Sequence, residues 1–227
     1  MTRWRAIACD YDRTLTDEHL RPDAHALAAL GQARDEGIRV IAVTGRPLHF
    51  VRRTLPTIDA VVAENGAVRW YEGSAEVWED WPDRPRVLDA LDAAKIPFEA
   101  HEVMLSLPRS HAVAAKRALR EHALRATFQV NVNSCMLLPR GVDKGTGLLL
   151  ALAGLGVGPL ACAAIGDGEN DVAMFRVAGL GAAPAHGTRE AREAADLELR
   201  SSWGAAVAEL VAILVDENRR NDRLTLD

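Results

Sequence analysis

Acidic side chains follow two apolar segments of the chain, at the point where each segment ends. Asp10 and Asp12 follow the first segment, and Asp167 and Asp171 follow a later one. The first pair alone is as typical of a turn or helix cap as of a functional site. Four carboxylates brought together repel one another unless a cation lies among them, and oxygen ligands without His or Cys fit Mg²⁺. We therefore predict that these acids hold Mg²⁺, which commonly joins carboxylates to a phosphate.

The same residue types suit transfer of a phosphoryl group. An Asp carboxylate can attack phosphorus and form an aspartyl phosphate, and Asp10 lies nearest the rigid end of its strand. Asp12, on the following turn, can protonate a leaving oxygen and then activate water. Thr44 and the backbone N–H of Gly45 can donate to phosphoryl oxygens, and Lys144 supplies a positive charge. The predicted chemistry is thus phosphoryl transfer by positioning and electrostatics.

Other polar residues are candidates for contact with the substrate. Arg46 follows Thr44 and Gly45, so it reaches the phosphate or else stays solvated at a helix start. Asn170 is expected at the site, where it can orient Asp167 or donate to the phosphate. Four basic residues from the middle of the chain are further candidates, although each alone is more typical of a surface position: His101, Arg109, His111 and Arg140.

Strands and helices must alternate to position these residues. The apolar runs Trp4 to Cys9, Ile38 to Val43 and Leu160 to Ile165 are typical of buried strands. Pro22 to Glu36 has helical spacing and ends at Gly37. Alternation of this kind predicts βαβ units and a parallel sheet, in which ligands bind at the carboxyl ends of the strands. The predicted fold class is α/β, with a Rossmann-like parallel-sheet core and a small inserted α+β cap.

The middle of the chain differs in composition from both ends. Trp78, Trp81, Pro82 and Pro85 cluster within ten residues, which suggests a domain boundary. We predict a core domain formed by residues 1–76 and 142–227, and a cap domain formed by residues 77–141. The polar segment from Asn218 to Asp227 is expected to fray.

Composition excludes several other functions. The chain of 227 residues has a net charge of −5, so it lacks the basic character of a nucleic-acid-binding protein. Cys9, Cys135 and Cys162 form neither a disulfide framework nor a zinc pattern, and they favour a cytoplasmic location. The uncharged stretch from Gly145 to Gly166 contains a cluster of glycines and Pro159, so we expect no membrane span there. A monomer and a homodimer both remain open.

Taken in order, the motifs resemble those of the haloacid dehalogenase-like hydrolases, and the resemblance extends over nearly the whole chain. The matching residues are Asp10, Asp12 and Thr14 in the first motif, Thr44 in the second, Lys144 in the third, and Gly166, Asp167 and Asp171 in the fourth. An insert between the second and third motifs, together with Glu64-Asn65-Gly66, is typical of the Cof-like branch of the family, which includes phosphoglycolate phosphatases.

The resemblance implies specific roles for these residues. Asp10 would be the nucleophile and Asp12 the acid and base. Mg²⁺ would be held by Asp10, the backbone carbonyl of Asp12 and Asp167, with Asp171 bound directly or through water. The implied activity is hydrolysis of a small phosphorylated metabolite, such as phosphoglycolate or a sugar phosphate. Many members of the family have Gly where this chain has Arg13, so the identity of the substrate does not transfer directly.

Three other functions share parts of this pattern. A phosphomutase of the phosphomannomutase type uses the same motifs, but it would favour a larger and more basic cap. Receiver-type signalling domains also place acids, Thr and Lys around Mg²⁺, but they lack the insert and the late Gly-Asp-Gly-Glu-Asn-Asp segment that begins at Gly166. A non-catalytic binding module of the same fold remains the third alternative.

Overall fold

The protein forms two β-sheets joined by helices. The computed structural model describes residues 3–55, 57–78, 81–130 and 133–224. The strands are β1 (Ala6–Asp10), β2 (Arg39–Val43), β3 (Ala60–Ala63), β4 (Val68–Tyr71), β5 (Ser74–Val77), β6 (Glu99–Ala100), β7 (Leu105–Pro108), β8 (Thr127–Val130), β9 (Ser134–Leu138), β10 (Cys162–Ile165), β11 (Leu180–Ala183) and β12 (Leu197–Glu198). The helices are α1 (Ala24–Asp35), α2 (Leu48–Thr54), α3 (Arg84–Ala93), α4 (Ala112–Glu121), α5 (Lys144–Gly154), α6 (Val172–Phe175), α7 (Arg189–Ala194) and α8 (Trp203–Leu224).

The larger sheet has eight strands in the order β12-β11-β10-β1-β2-β3-β4-β5. The first six strands in this order, from β12 across to β3, run parallel to one another, and β4 and β5 continue the sheet as antiparallel strands. In the register of the central strands, Ala8 lies opposite both Ala164 and Ile41. The carboxyl ends of β10, β1 and β2 therefore lie side by side, which confirms the predicted α/β fold and places the acidic motifs at one edge of the sheet.

Apolar side chains cover both faces of this sheet, which explains why its central strands are apolar except at their end residues Asp10 and Arg39. On one face, Ala8 packs in a buried cluster with Leu148 of α5 and Met174 of α6. On the other face, Cys9 packs in a second cluster with residues of α1 and α8. Successive residues of a strand point to opposite faces, so continuous apolar runs are required here. The three cysteines are buried and unpaired.

The C-terminal segment corrects one expectation from the sequence. Helix α8 continues to Leu224, although the polar segment from Asn218 to Asp227 was expected to fray. The last three residues of that segment, 225–227, lie outside the described residues. Asn218 is buried, its side-chain oxygen accepts the N–H of Trp4 at 2.8 Å, and its amide donates to the carbonyl of Trp4 at 2.9 Å. These two bonds attach the last helix to the chain just before β1, and a polar side chain is thereby satisfied inside the fold.

The smaller sheet is antiparallel, with the order β6-β7-β9-β8, and it carries α3 and α4. We call this part of the structure, Arg84–Leu138, the cap. Two short strands were missed in the sequence, β5 and β12, and both lie at edges of the larger sheet. The domain boundaries at 76/77 and 141/142 stay predictions. In the described part of the chain, no helix is long and apolar enough to cross a membrane.

Candidate active site

Three buried carboxylates and one buried ammonium group lie at the carboxyl edge of the larger sheet. One oxygen each from Asp10, Asp167 and Asp171 lies within 4.8 Å of the other two, a separation that a single metal ion can span. The Nζ of Lys144 donates hydrogen bonds to both Asp10 and Asp171. The structure thus brings together acids from the first and fourth predicted motifs with the Lys of the third.

Burial and mutual repulsion determine the charge state of this cluster. Burial, followed by the charge of Asp171, raises the pKa of Asp10 well above its usual range, while Lys144 opposes the rise. The pKa of Asp167 is raised to about 6, first by burial and then by Asp171. Burial would lower the pKa of Lys144, but the charges of Asp10 and Asp171 raise it, so the lysine stays protonated. A divalent cation among these acids would favour their ionised forms.

Glycines at two motif positions allow this close packing. A Cβ added to Gly166 would lie 2.3 Å from the carboxyl carbon of Asp171. A Cβ added to Gly145 would lie 2.3 Å from the carbonyl oxygen of Ala173. Both separations are far below van der Waals contact, so any side chain at either position would displace Asp171 or the helix that begins at Lys144.

Asp12 lies beside the cluster but has a different partner. Arg46 donates to both of its carboxylate oxygens, from Nε at 2.9 Å and from Nη2 at 2.8 Å. This bidentate bond is the main reason that the pKa of Arg46 is raised. The structure therefore places Arg46 as the group that holds the carboxylate of Asp12, a role that the sequence did not suggest.

Arg13 has a left-handed backbone conformation with φ of 66°, which residues other than glycine rarely adopt. Its guanidinium lies 3.5 Å from Asp167, and its side chain is 40% exposed. The turn is held by the hydroxyl of Thr16, which accepts the N–H of Arg13 at 2.6 Å. Glycine adopts this conformation without strain, and here the side chain of Arg13 extends toward Asp167 of the fourth motif.

The acidic cluster opens into a cleft of about 600 Å³ between the larger sheet and the cap. Gly45 and Asn170 line it from the core side, and His101 lines it from the cap side. The predicted contacts of Gly45 and Asn170 with phosphate stay predictions. Thr44 is fully buried behind Gly45, does not line the cleft, and accepts the N–H of Arg46 through its hydroxyl at 3.0 Å. Its predicted contact with phosphate remains a prediction.

The other basic candidates do not line this cleft. Among the described residues, neither Arg109 nor His111 lines it. Arg140 lines a separate groove of about 500 Å³ on the cap, together with residues of α4 and β8. Of the four cap candidates, only His101 reaches the cleft in the described structure, where its ring lies 3.1 Å from the hydroxyl of Ser106.

One residue at the site was missed in the sequence. His186 follows β11, and its Nε2 lies 2.9 Å from the carbonyl oxygen of Arg13. The backbone N–H of Trp203 donates to its Nδ1 at 3.3 Å, which leaves the proton on Nε2 to bond Arg13. The ring also stacks on Trp203 with a centroid separation of 5.1 Å. A lone His after a strand carries no signal of such a contact, because Arg13 is 173 residues away in the chain.

Comparisons with known proteins agree with this geometry. A family model described as haloacid dehalogenase-like hydrolase matches residues 7–80 and 82–211. The phosphoglycolate phosphatase of Methanothermobacter thermautotrophicus is 33% identical, over 91% of this chain and 97% of that protein. The phosphoglycolate phosphatase of Archaeoglobus fulgidus is 32% identical, over 94% of this chain and 98% of that protein.

Solved structures show the same fold. A crystal structure from Thermoplasma acidophilum aligns with a TM-score of 0.82 at 19% identity, over 93% of this chain and 98% of that one. The sucrose-phosphatase of Synechocystis, in complex with sucrose and phosphate, aligns with a TM-score of 0.73 at 17% identity, over 93% of this chain and 98% of that one. The family match and the relatives that span almost the whole chain show that this protein belongs to the haloacid dehalogenase-like hydrolases and is a phosphatase.

Proposed function

We propose that this phosphatase is a Mg²⁺-dependent phosphomonoesterase that acts on a small phosphorylated metabolite, with phosphoglycolate as the first candidate. The observation that carries the proposal is the cluster of Asp10, Asp167 and Asp171 around Lys144, at the base of a cleft suited to a small molecule. Sites for small ligands commonly enclose about 300–1,000 Å³. The two relatives described above are phosphoglycolate phosphatases, which supports this choice of substrate.

Mg²⁺ fits the donor set, because the group that could hold a metal among the described residues consists of three carboxylates, which suit a hard cation. The nearest imidazole, that of His186, is bonded through Nε2 to the carbonyl of Arg13. Asp10, Asp167 and Asp171 would hold it, with the backbone carbonyl of Asp12 as a further ligand. When bound, the ion neutralises charge on the phosphate and on the acids around it. Burial and the charge of Asp171 raise the pKa values of Asp10 and Asp167, and a cation among these acids would favour their ionised forms.

The proposed reaction has two steps, both at phosphorus. In the first, a carboxylate oxygen of Asp10 attacks phosphorus, the bond to the leaving oxygen breaks, and Asp12 donates a proton to that oxygen. In the second, Asp12 takes a proton from water, and this water attacks the phosphorus of the aspartyl phosphate. Inorganic phosphate leaves and the carboxylate of Asp10 is restored. Lys144 keeps Asp10 oriented and opposes the negative charge of the transferred group.

Two groups of the cleft are placed to contact the leaving group. Arg13 reaches the cleft from the core and His101 from the cap, and both can donate to an anionic or hydroxyl oxygen. Arg46 is held by Asp12, so its proposed part is to orient the acid. A carboxylate on the leaving group, as in phosphoglycolate, would find its positive partner in Arg13.

The test is release of inorganic phosphate from a panel of phosphorylated metabolites, with Mg²⁺ and with excess chelator. We expect hydrolysis of phosphoglycolate that requires Mg²⁺ and is lost by at least roughly 10³-fold in Asp10→Asn, which removes the attacking charge without changing shape. Turnover that is undiminished in chelator, or an active Asp10→Asn variant, would contradict the mechanism. A requirement for a bisphosphate activator would favour the phosphomutase, and stable phosphorylation without turnover would favour the receiver-like module.

A further inference from the structure

The turn between β3 and β4, Glu64–Gly66, has an unusual conformation that its surroundings must maintain. Glu64, Asn65 and Gly66 have φ values of 48°, 52° and 108°, so three successive residues are left-handed. Both non-glycine residues are buried, with 2% exposure for Glu64 and none for Asn65. Such strained backbone persists only where neighbouring groups hold it, and strain of this kind is concentrated at functional sites.

On the core side, the turn is bonded to the loops that follow β2 and β10, which line the acidic end of the cleft and which we call the phosphate loops. The N–H of Glu64 donates to the carbonyl of Arg46 at 3.1 Å, and the N–H of Asn65 donates to the carbonyl of Thr44 at 2.9 Å. The side-chain oxygen of Asn65 accepts from the amide of Asn170 at 3.2 Å. The turn thus connects the second and fourth motifs.

The turn also lies against the start of the helix that carries Lys144. A Cβ added to Gly66 would lie 2.1 Å from the carbonyl oxygen of Asp143, so the two backbones are in direct contact. Asp143 is the N-cap of α5, and its carboxylate accepts the N–H of Thr146 at 2.8 Å. A movement of the turn would therefore displace the helix start from which Lys144 reaches the acids.

On the cap side, Glu64 holds one loop through three hydrogen bonds. Its carboxylate accepts the N–H groups of Glu102, Val103 and Met104 at 3.1, 2.9 and 2.9 Å. Hydrogen bonds to a carboxylate are stronger than those between neutral groups, and this carboxylate is buried, so the loop has a firm attachment to the core. The amide of Asn65 also lies 2.8 Å from the sulfur of Met136.

The cap residues held in this way form the far wall of the cleft. Met104 and Met136 line it, and His101, which also lines it, immediately precedes the loop held by Glu64. Leaving groups that extend from the phosphate end must meet this wall. Its distance from the acids is set by the turn, because the same two residues bond the wall on one side and the phosphate loops on the other.

We infer that Glu64 and Asn65 are positioning residues that attach the cap to the phosphate loops and thereby set which leaving groups the cleft accepts. The inference rests on the proposed hydrolysis of phosphate monoesters. Substrate specificity would then depend on a residue of the core as well as on residues of the cap. Glu64 does not line the cleft, so it would act only through the loop that it holds. Substrates with a leaving group that contacts the cap wall should depend on Glu64, and the transfer of the phosphoryl group itself should depend on it much less.

The test compares Glu64→Gln with Glu64→Asp and with the control Glu121→Gln. Gln keeps the size of the side chain but places an N–H₂ group against the loop amides, whereas Asp keeps both acceptor oxygens. Glu121 is an exposed cap carboxylate bonded to Arg117, so its variant removes a carboxylate from the cap without touching the junction.

Hydrogen exchange is the first measurement, because it does not depend on the substrate. In Glu64→Gln we expect the amides of residues 102–104 to exchange at least roughly tenfold faster, the size of one lost charge-assisted hydrogen bond. Glu64→Asp should show a smaller change, and Glu121→Gln should match the parent protein. Unchanged exchange at these amides in Glu64→Gln, or an equal increase throughout the chain, would overturn the attachment.

Steady-state kinetics is the second measurement. In Glu64→Gln, KM should rise by about tenfold for the metabolite that the parent protein hydrolyses best, while kcat for a generic aryl phosphate stays within about twofold. Partial recovery in Glu64→Asp would support positioning by the carboxylate. A uniform loss of kcat for every ester would overturn the inference in favour of a purely structural role. If the parent protein released phosphate from no ester, the proposed function would fail, and the exchange measurement would still decide the attachment.

Discussion

Lys144 offers the sharpest test of how the acidic cluster is stabilised. Its Nζ is buried between Asp10 and Asp171, and the lysine is 1% exposed. Lys144→Met keeps a long side chain but leaves two buried carboxylates without their positive partner. Removing one member of a buried ion pair costs about 3–5 kcal/mol. Proton uptake by a carboxyl group relieves part of this cost, so we expect a loss of about 3 kcal/mol in the free energy of unfolding at neutral pH.

The loss can be measured by thermal unfolding. For a chain of this length, 1 kcal/mol shifts Tm by about 2–4 °C, so the variant should unfold about 6–12 °C below the parent protein in chelator. Saturating Mg²⁺ should restore much of this difference, because a cation then lies among the same acids. The deficit should also be smaller at pH 5 than at pH 8, since the raised pKa of Asp10 means that its protonation at low pH removes the repulsion.

Kinetics separates this role from substrate recognition. The loss of Lys144 should lower kcat/KM by about 10²–10³-fold for every phosphate ester, as expected for a group that stabilises the shared phosphoryl group. Lys116→Met is the matched control, because Lys116 is exposed on α4, where it lies over the ring of Phe128. A stability deficit that grows on addition of Mg²⁺, or a loss of activity confined to some esters, would refute the reasoning.

The remaining predictions concern three other residues, Asp167, His186 and Asn218. Burial and Asp171 raise the pKa of Asp167 to about 6, so protons compete with the cation at low pH. The Mg²⁺ concentration for half activity should therefore rise by roughly tenfold for each pH unit below 6. An activation constant that does not change between pH 5 and 7 would contradict this. In chelator, the same carboxyl contributes stability that is present below about pH 4 and lost as pH rises through about 6, which denaturation at several pH values will measure. His186→Ala removes the bond to the carbonyl of Arg13, so kcat should fall by about tenfold with the fold intact. Activity should recover in part in His186→Gln. An unchanged kcat in His186→Ala would exclude His186 from positioning this turn. Asn218→Ala leaves two backbone groups of Trp4 without partners, so the free energy of unfolding should fall by about 2–4 kcal/mol in chemical denaturation, while kcat per folded molecule stays unchanged.

The central strands could be predicted from the sequence because their environment is uniform. Strands β1, β2, β3 and β10 are buried on both faces, so each appears as a continuous apolar run. Strands β5 and β12 were missed because they are short, lie at sheet edges and bear polar residues. The end of α8 was missed for a different reason: Asn218 is satisfied by Trp4, 214 residues away, and no local pattern records that contact.

The place of the acidic cluster could be predicted from residue types and their order along the chain. Asp10, Asp167, Asp171 and Lys144 each occur beside an apolar run, and a parallel sheet brings such positions to one edge whatever the details of packing. The sequence thus supplied the family, the fold class and the acidic cluster, because these depend on local pattern and on a general rule of sheet geometry.

Tertiary structure decided how the remaining polar groups are paired. Arg46 binds Asp12 rather than standing free, His186 holds the turn at Arg13, and Glu64 accepts three amides from the cap. Each partner lies 34 to 173 residues away, so its identity depends on how helices and strands pack in three dimensions. A buried polar group must find a partner, but the chain order does not say which one, because folding can place many candidates within reach.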